Sequence, residues 1–348
     1  MITDLSGCLF KTNDMNTWFQ LIADQAPPAA AAAQNAAGIV TPLTDVGLIA
    51  ASGEDAASFL HSQLTNDVEH LGPSEGRLAG YCTPKGRLLA SFLYWKQADA
   101  VFLQLPRAIQ PPIQKRLQMF ILRAKAKLVD VTGEHAVIGM AGPAAQRWLQ
   151  QRFADLPSTP YATVSGAAGT LIRLPDGAIG PRYQWVTSPD NAVVSWSDLA
   201  AALTHADASA WRLMDIHAGI PQIVPATQEQ FVPQMVNFEL IGGVNFRKGC
   251  YPGQEIVARS QYLGKLKRRT LLATVSGANV AAGAEVFSEA DPGQPCGMIV
   301  NAEPNGDSFD CLVEIKLSAQ EGGRVFVGAP DGPPLAFRPL PYPLTEPA

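Results

Sequence analysis

The sequence has no strong excess of charge of either sign. Its 348 residues include 26 Lys and Arg against 31 Asp and Glu, which gives a formal net charge of −5. This balance excludes nucleic-acid binding through bulk electrostatics, so any such role needs a local basic patch. With 47% hydrophobic and 16% charged residues, the chain is typical of a folded globular protein, and it is too long for a single ordinary core.

Long hydrophobic runs are also missing. No stretch approaches the ~20 apolar residues that a membrane-spanning helix needs. The first residues, MITDLSGCLFKTND, show neither a basic leader nor the apolar segment of a secretory signal. We therefore expect no membrane partner and a cytoplasmic location.

Cysteines are few and scattered, at positions 8, 82, 250, 296 and 311, without a CxxC pair. An odd count at these spacings argues against a disulfide framework, a structural zinc site and a resident iron–sulfur cluster. The five histidines form no HExxH motif, so we expect no metal site. The absence of GxGxxG, GxxxxGK[ST] and GxSxG disfavours nucleotide-phosphate binding and serine hydrolysis.

What is present is a mixed pattern of helices and strands. Residues 1–38 contain the low-complexity stretch APPAAAAAQNAA and are interpreted as a tail or linker. Apolar strands at 46–51 and 137–141 are each followed by a glycine and an amphipathic helix. The two units are either related α/β lobes or independent examples of a common strand–turn–helix pattern.

The remaining elements complete an α+β fold. Residues 86–106 predict two strands around a turn at 97–99, and residues 207–218 predict a helix. Beyond about Leu271, short strands alternate with turn residues, which is typical of a small β-barrel. The predicted domains are a first lobe at 39–135, a second lobe at 136–265 and a C-terminal barrel at 266–348.

The stretch FRKGCYPGQEIVAR, residues 246–259, places Cys250 on a glycine-rich loop beside Arg247 and Lys248. Nearby cations and a helix N-terminus lower the pKa of a thiol, and a helix is predicted to begin after Gly253. Gly249 adds backbone freedom and access. This composition suits a reactive, accessible thiol. The alternative is a turn in which the cysteine is only a small residue.

Seven cations fall between Arg247 and Arg269, opposed by Glu255 alone. Such a segment can hold an RNA backbone or an oligo-carboxylate tail, or it can be a solvated loop between domains. Trp211 has mostly apolar neighbours on its predicted helix, and by itself this pattern favours a core tryptophan.

The segment KGCYPGQE, Lys248–Glu255, resembles the signature of the YgfZ-type folate-binding proteins, which are relatives of the glycine-cleavage T-protein. QLTNDV, CTPKGRLLASF, AGIP, GGVNFRKGCYPGQEIVAR and PLPYPL stand in the family's order across roughly residues 40–345. The resemblance implies two interleaved α/β lobes and a β-barrel arranged around a central folate channel. It also implies a tetrahydrofolate-binding protein that supports iron–sulfur enzymes, including those that thiomethylate tRNA.

The resemblance assigns site residues one by one. Cys250 corresponds to the family's key functional thiol, and Trp211 corresponds to a tryptophan that contacts folate. The other motif positions carried over are Lys248, Gly249, Tyr251, Gly253, Gln254, Glu255 and Arg259.

The chain departs from the family pattern at three places. Val46 stands where a second folate-contacting tryptophan is expected, and His217 stands where a glutamate grips the pterin ring. The segment equivalent to the T-protein's catalytic aspartate reads FLQLPRAIQ, residues 102–110, and contains no acid. Aminomethyl transfer by the T-protein mechanism is therefore not expected.

Three functions follow from these observations. The first is a tetrahydrofolate-binding accessory protein for assembly or repair of iron–sulfur enzymes, with Cys250 as its working thiol and client or assembly proteins as partners. The second is a stand-alone folate-dependent one-carbon transferase. The third is an RNA-binding module that uses residues 247–269, with direct contact to tRNA left open.

Overall fold

The computed structural model describes residues 14–25, 37–262 and 266–345. Within them the chain forms three β-sheets with helices packed against them. Elements are numbered here in chain order. The eight α-helices are α1 (Asp14–Asp24), α2 (Ala56–Gln63), α3 (Gln110–Gln118), α4 (Pro143–Gln150), α5 (Pro189–Ala202), α6 (Ala208–His217), α7 (Gln254–Tyr262) and α8 (Leu317–Glu321).

The first sheet has five antiparallel strands in the order β3-β4-β5-β2-β6. Its strands are β2 (Val46–Ser52), β3 (Gly76–Cys82), β4 (Leu88–Gln97), β5 (Ala100–Pro106) and β6 (Lys127–Asp130). The predicted hairpin at residues 97–99 is confirmed, since Gln97 pairs with Ala100. Phe59, Leu60 and Leu64 pack into the core between this sheet and α2.

The second sheet has six strands in the order β11-β1-β7-β10-β9-β8. Its strands are β1 (Ile39–Pro42), β7 (Ala136–Ala141), β8 (Thr163–Gly166), β9 (Gly169–Gly177), β10 (Gly180–Thr187) and β11 (Thr204–His205). Of these six strands, β1 and β11 form the parallel pair, and the other pairings are antiparallel. Strand β1 lies in this sheet although its residues fall in the predicted first lobe, because Ile39 pairs with Ala141.

The two predicted strand–glycine–helix units are present. Gly53 follows β2 with φ of +109°, and Gly142 follows β7 with φ of +92°. Residues with a side chain rarely adopt this backbone conformation, so glycine allows the sharp turn into each helix. The two units therefore share a glycine of positive φ at the end of the strand, although α4 begins directly after Gly142 and α2 begins only at Ala56.

Part of the predicted tail is a packed helix instead. Trp18 of α1 is buried, and its ring meets that of Trp196 edge-on, with centroids 5.5 Å apart. Leu21 and Ile22 contact the same core. For these residues the tail interpretation is wrong, because burial of this apolar face ties α1 to α5 of the second half.

The C-terminal region forms a six-stranded antiparallel sheet in the order β16-β13-β14-β15-β12-β17. Its strands are β12 (Arg268–Ser276), β13 (Glu285–Ser288), β14 (Asp291–Asn305), β15 (Ser308–Lys316), β16 (Val325–Val327) and β17 (Leu335–Arg338). An isolated bridge from Phe326 to Pro334 brings the two edges together. The predicted C-terminal strands are thus present as a sheet with approaching edges, but the region also contains the short helix α8.

Candidate functional site

A cavity of about 540 Å³ lies between the first and second sheets. Its walls come from β2, β4 and β5 on one side and from β9, β10 and α6 on the other. Val46, the site of the missing second tryptophan, lines it together with apolar groups such as Leu93 and Leu174. The wall is mostly apolar with a few polar groups, which is the usual character of a small-molecule site.

Trp211 forms part of this wall. Trp211 lies on helix α6, whose N-cap is Asp207. The Asp207 carboxylate accepts a hydrogen bond from the Ala210 amide at 3.1 Å. The indole is only 4% exposed and packs over Gly139, where a Cβ would stand 2.6 Å from the ring. Trp211 is thus both a core residue and a cavity residue.

A buried ion pair lies beside Trp211. Arg182 is fully buried, donates to the Asp215 carboxylate at 2.9 Å, and stands 5.2 Å from the Trp211 ring centroid. Gln222 donates to the other Asp215 oxygen at 3.0 Å. Burial raises the pKa of Asp215, although Arg182 and Gln222 oppose the shift. One guanidinium nitrogen of Arg182, Nη2, has no hydrogen-bond partner among the described residues.

Asp215, two residues before His217 on α6, lines the cavity. His217 points elsewhere: its Nε2 lies 2.6 Å from Asp310 Oδ2 on β15. Burial raises the pKa of Asp310, but hydrogen bonds from His217, Thr274 and Asn305 outweigh this effect and hold the pKa well below its usual value. On helix α6, therefore, the side chain of Asp215 faces the cavity and that of His217 does not.

Acids also reach the cavity from outside residues 102–110. Asp45 lines it next to Arg107, whose amide donates to the Asp45 carbonyl at 2.8 Å. The Asp45 carboxylate accepts from Arg212, which also donates to Glu303 on β14. Asp45 was not predicted, because the sequence pattern concerned residues 102–110 alone, whereas the cavity wall is assembled from several segments.

The cations on the cavity wall are Arg107 and Arg212. No described residue of the basic segment 247–269 lines the cavity. Arg268 pairs with Glu314 and Arg269 pairs with Glu239. Two cations of the basic segment are therefore already held in internal ion pairs.

The motif loop lies against the end of α2. Lys248 Nζ donates to the carbonyl oxygens of His61 and Leu64 and stands 4.8 Å from the Tyr251 ring centroid. Burial, which outweighs the attraction of Asp67, Cys250 and Glu69, lowers the pKa of Lys248 to about 8. Lys248 is therefore an anchor of the loop as well as a cation near the thiol.

The rest of the motif fixes the loop from the other side. Tyr251 is buried in the main core. Gly253 turns the chain with φ of +81° into α7, which begins at Gln254 and confirms the predicted helix. Glu255 lies in the first turn, where the helix dipole favours an acid, and Arg259 is exposed in the last.

Cys250 is exposed at the centre of this loop. Cys82, Cys296 and Cys311 are buried, and burial raises their pKa, to about 12 for Cys82 and Cys311. Cys8 lies outside the described residues. Among the four described cysteines, only Cys250 is open to a reagent or partner.

The cavity lined by Trp211 has a neighbouring surface groove, and Cys250 lines neither of them. The motif loop borders a surface groove of about 590 Å³, lined by Asp67, Asn245 and Arg247 among others. Leu78 and Tyr161 line both the groove and the cavity. The two sites are therefore separated by a shared wall.

Two further findings concern the described residues only. They contain no helix long and apolar enough to cross a membrane. They contain no cluster of three or more His, Cys, Asp or Glu side chains placed to hold a metal ion.

Comparison with known proteins gives consistent matches. Residues 10–172 match the family model described as the GCVT N-terminal domain. The chain is 33% identical over 226 residues to the tRNA-modifying protein YgfZ of Colwellia psychrerythraea, covering 65% of this chain and 68% of that protein. It is 27% identical over 316 residues to the protein of the same name from Enterobacter sp., covering 87% and 93%.

Among solved structures, the chain resembles the glycine cleavage system aminomethyltransferase T of Bartonella henselae, with a TM-score of 0.74. The match covers 93% of this chain and 96% of that one at 16% sequence identity. At this identity the likeness shows a shared fold.

Proposed function

Because this chain belongs to the YgfZ family, we propose that it is a tetrahydrofolate-binding accessory protein for the assembly or repair of iron–sulfur enzymes, including enzymes that modify tRNA. The observation that carries the proposal is a largely apolar cavity lined by Trp211, together with an exposed thiol, Cys250, on an anchored loop. The cavity would bind the folate, and Cys250 would be the working thiol.

The residues of the cavity fit a folate. A volume of about 540 Å³ lies within the ~300–1,000 Å³ range of small-molecule sites. Trp211 offers an aromatic surface against a flat ring, and Asp215 offers carboxylate oxygens to ring N–H groups. Arg182 does not line the cavity, but it donates to Asp215 at 2.9 Å and so orients that carboxylate.

Arg107 and Arg212 on the wall are suited to the carboxylates of a folate tail. When bound, tetrahydrofolate would supply a carrier for a one-carbon unit. We place the two lobes around a channel that this ligand occupies, a view supported by the chain path, which enters the second sheet at β1, builds the first sheet and returns at β7.

A stand-alone one-carbon transferase is the second candidate, and a specific observation favours it. Asp45 and Asp215 give the cavity two carboxylates that the family resemblance did not anticipate. Asp45 is held by Arg212 and Asp215 by Arg182, so both are committed to ion pairs. Turnover of a folate substrate by the purified protein alone would favour this second candidate.

Trp211→Ala should weaken tetrahydrofolate binding by about tenfold or more, because it removes the aromatic surface. Trp211→Phe should keep affinity within a few-fold. Trp185→Phe is the matched control, at a buried position packed against Trp148. It should leave the affinity for tetrahydrofolate unchanged. Calorimetric titration measures each affinity, with a melting curve to show that each variant is folded. A folded Trp211→Ala protein that binds as tightly as the wild type would contradict the placement.

Loss of the thiol should abolish the accessory function without affecting the fold. In a deletion strain, wild-type protein should restore iron–sulfur enzyme activities and tRNA thiomethylation, whereas Cys250→Ala and Cys250→Ser should not. Serine preserves the size and polarity of the loop residue but lacks thiol chemistry. Full restoration by either variant, at wild-type protein levels, would reject Cys250 as the working residue.

A further inference from the structure

His61 lies in the last turn of α2, below the motif loop. Its Nδ1 stands 3.0 Å from Asp67 Oδ1, and Glu69 Oε2 is farther away at 3.8 Å. The Glu69 amide approaches the same nitrogen at 3.5 Å, the outer limit of a hydrogen bond. The short contact to a carboxylate therefore places the proton on Nδ1 and leaves Nε2 as an acceptor.

The free nitrogen of this ring faces the motif loop. His61 Nε2 lies 3.6 Å from the point where a Cβ on Gly249 would stand. Lys248 donates to the His61 carbonyl, so the two residues before Cys250 both dock on the end of α2. Nε2 has no hydrogen-bond partner among the described residues, and it is thus available to a group on the loop.

We propose that His61, held in place by Asp67, is the base that removes the proton from Cys250. This inference rests on the proposed function, in which the Cys250 thiol does the work. The proton passes from Cys250 Sγ to His61 Nε2, and the S–H electron pair stays on sulfur. The products are a thiolate and an imidazolium whose Nδ1–H remains bonded to the Asp67 carboxylate. The proton returns by the same path, and no electrons are exchanged.

The surrounding charges support this transfer. Asp67 also accepts from His70, whose Nδ1 is 2.9 Å from Oδ2. Burial raises the pKa of Asp67, but the hydrogen bonds from His70 and the charges of both histidines outweigh this effect and hold the pKa below its usual value. Asp67 is therefore ionised at neutral pH and stabilises the imidazolium. Lys248 and Glu69 complete the charged groups facing the ring, and the Lys248 ammonium favours the thiolate.

The absence of a direct contact between the ring and the sulfur does not argue against the role. Hydrogen bonds of acid–base groups are commonly long before a partner binds, and they tighten in the complex. Gly249, which directly precedes Cys250, already lies over the ring.

The test is the rate of Cys250 alkylation by iodoacetamide as a function of pH, with peptide mapping of the labelled cysteine. His61→Gln keeps a polar side chain but cannot accept the proton, so it should react at least about tenfold more slowly at pH 7. Near pH 10, where free thiols ionise without a base, its rate should equal that of the wild type. His135→Gln changes a histidine that packs against Phe102, away from Asp67 and the motif loop, and it should leave the rate at pH 7 unaltered.

Asp67→Asn should also slow the reaction at pH 7, since it no longer fixes the tautomer of His61. His61→Asn replaces His61→Gln if the latter does not fold. A wild-type rate at pH 7 in the folded His61 variant would overturn the proposal, and so would an equal slowing at every pH, which indicates altered access. The assay follows the thiol alone, so its failure leaves the complementation result standing, and the reverse is also true.

Discussion

Gly253→Ala should destabilise the fold by about 3 kcal/mol and detach the motif loop from the first lobe. Gly253 has φ of +81°, where a Cβ alone costs about 1 kcal/mol. A Cβ there would also stand 2.6 Å from Gly86 Cα and collide with the Thr83 carbonyl oxygen. Both are backbone atoms, which cannot rotate away, so the loop must shift, and overpacking of this kind costs about 1–3 kcal/mol.

Gly242→Ala is the matched control for this change. Gly242 has nearly the same φ, +80°, but no atom of the described residues lies within 4 Å of the position that a Cβ would take. It should lose only the conformational part, about 1 kcal/mol. Chemical denaturation of both variants gives the difference in unfolding free energy. Equal losses would show that the contact of Gly253 with residues 83–86 is unimportant for the loop.

Local structure was largely predictable from this sequence. The two strand–glycine–helix units, the hairpin at 97–99 and the helix after Gly253 follow from periodicity and glycine placement over short windows. Helix α1 carried a usable signal as well, since Trp18, Leu21 and Ile22 share one helical face. The neighbouring alanine- and proline-rich stretch dominated the interpretation of that segment.

Long-range pairing was not predictable in the same way. The placement of Ile39–Pro42 beside β7 depends on partners about a hundred residues away, which no local pattern encodes. The candidate site likewise contains residues that the sequence identified and residues that it did not. The resemblance to a family singled out Trp211 and Cys250, but the contacts made by Asp215 and His61 depend on how distant elements pack. The packing of helix α6 decides which of its faces meets the cavity. Asp215 lies on that face, and His217 lies on the face toward β15.

Arg182→Leu should destabilise the protein by about 3–5 kcal/mol, the usual cost of leaving a buried charge unpaired. Arg182 is fully buried, and the carboxylate of Asp215 is its ion-pair partner at 2.9 Å. Arg324→Leu breaks an ion pair of the same length to Glu289 in which both side chains are largely exposed. That control should lose far less stability than Arg182→Leu, because water and salt screen an exposed ion pair. Similar losses for the two variants would contradict the burial argument.

The dependence on pH and on a second mutation identifies the cause of the loss. Burial already raises the pKa of Asp215, and removal of Arg182 takes away its main opposing charge. A carboxyl whose pKa is raised by folding contributes most below its unfolded value, about 3.9, and loses that contribution as pH rises through the folded value. Arg182→Leu should therefore be more destabilised at pH 8 than at pH 5.

Arg182→Leu/Asp215→Leu removes both charges and should recover most of the lost stability, because two apolar side chains bury without an unpaired ion. If the double variant is no more stable than Arg182→Leu, the loss comes from packing around Trp211 rather than from the stranded carboxylate.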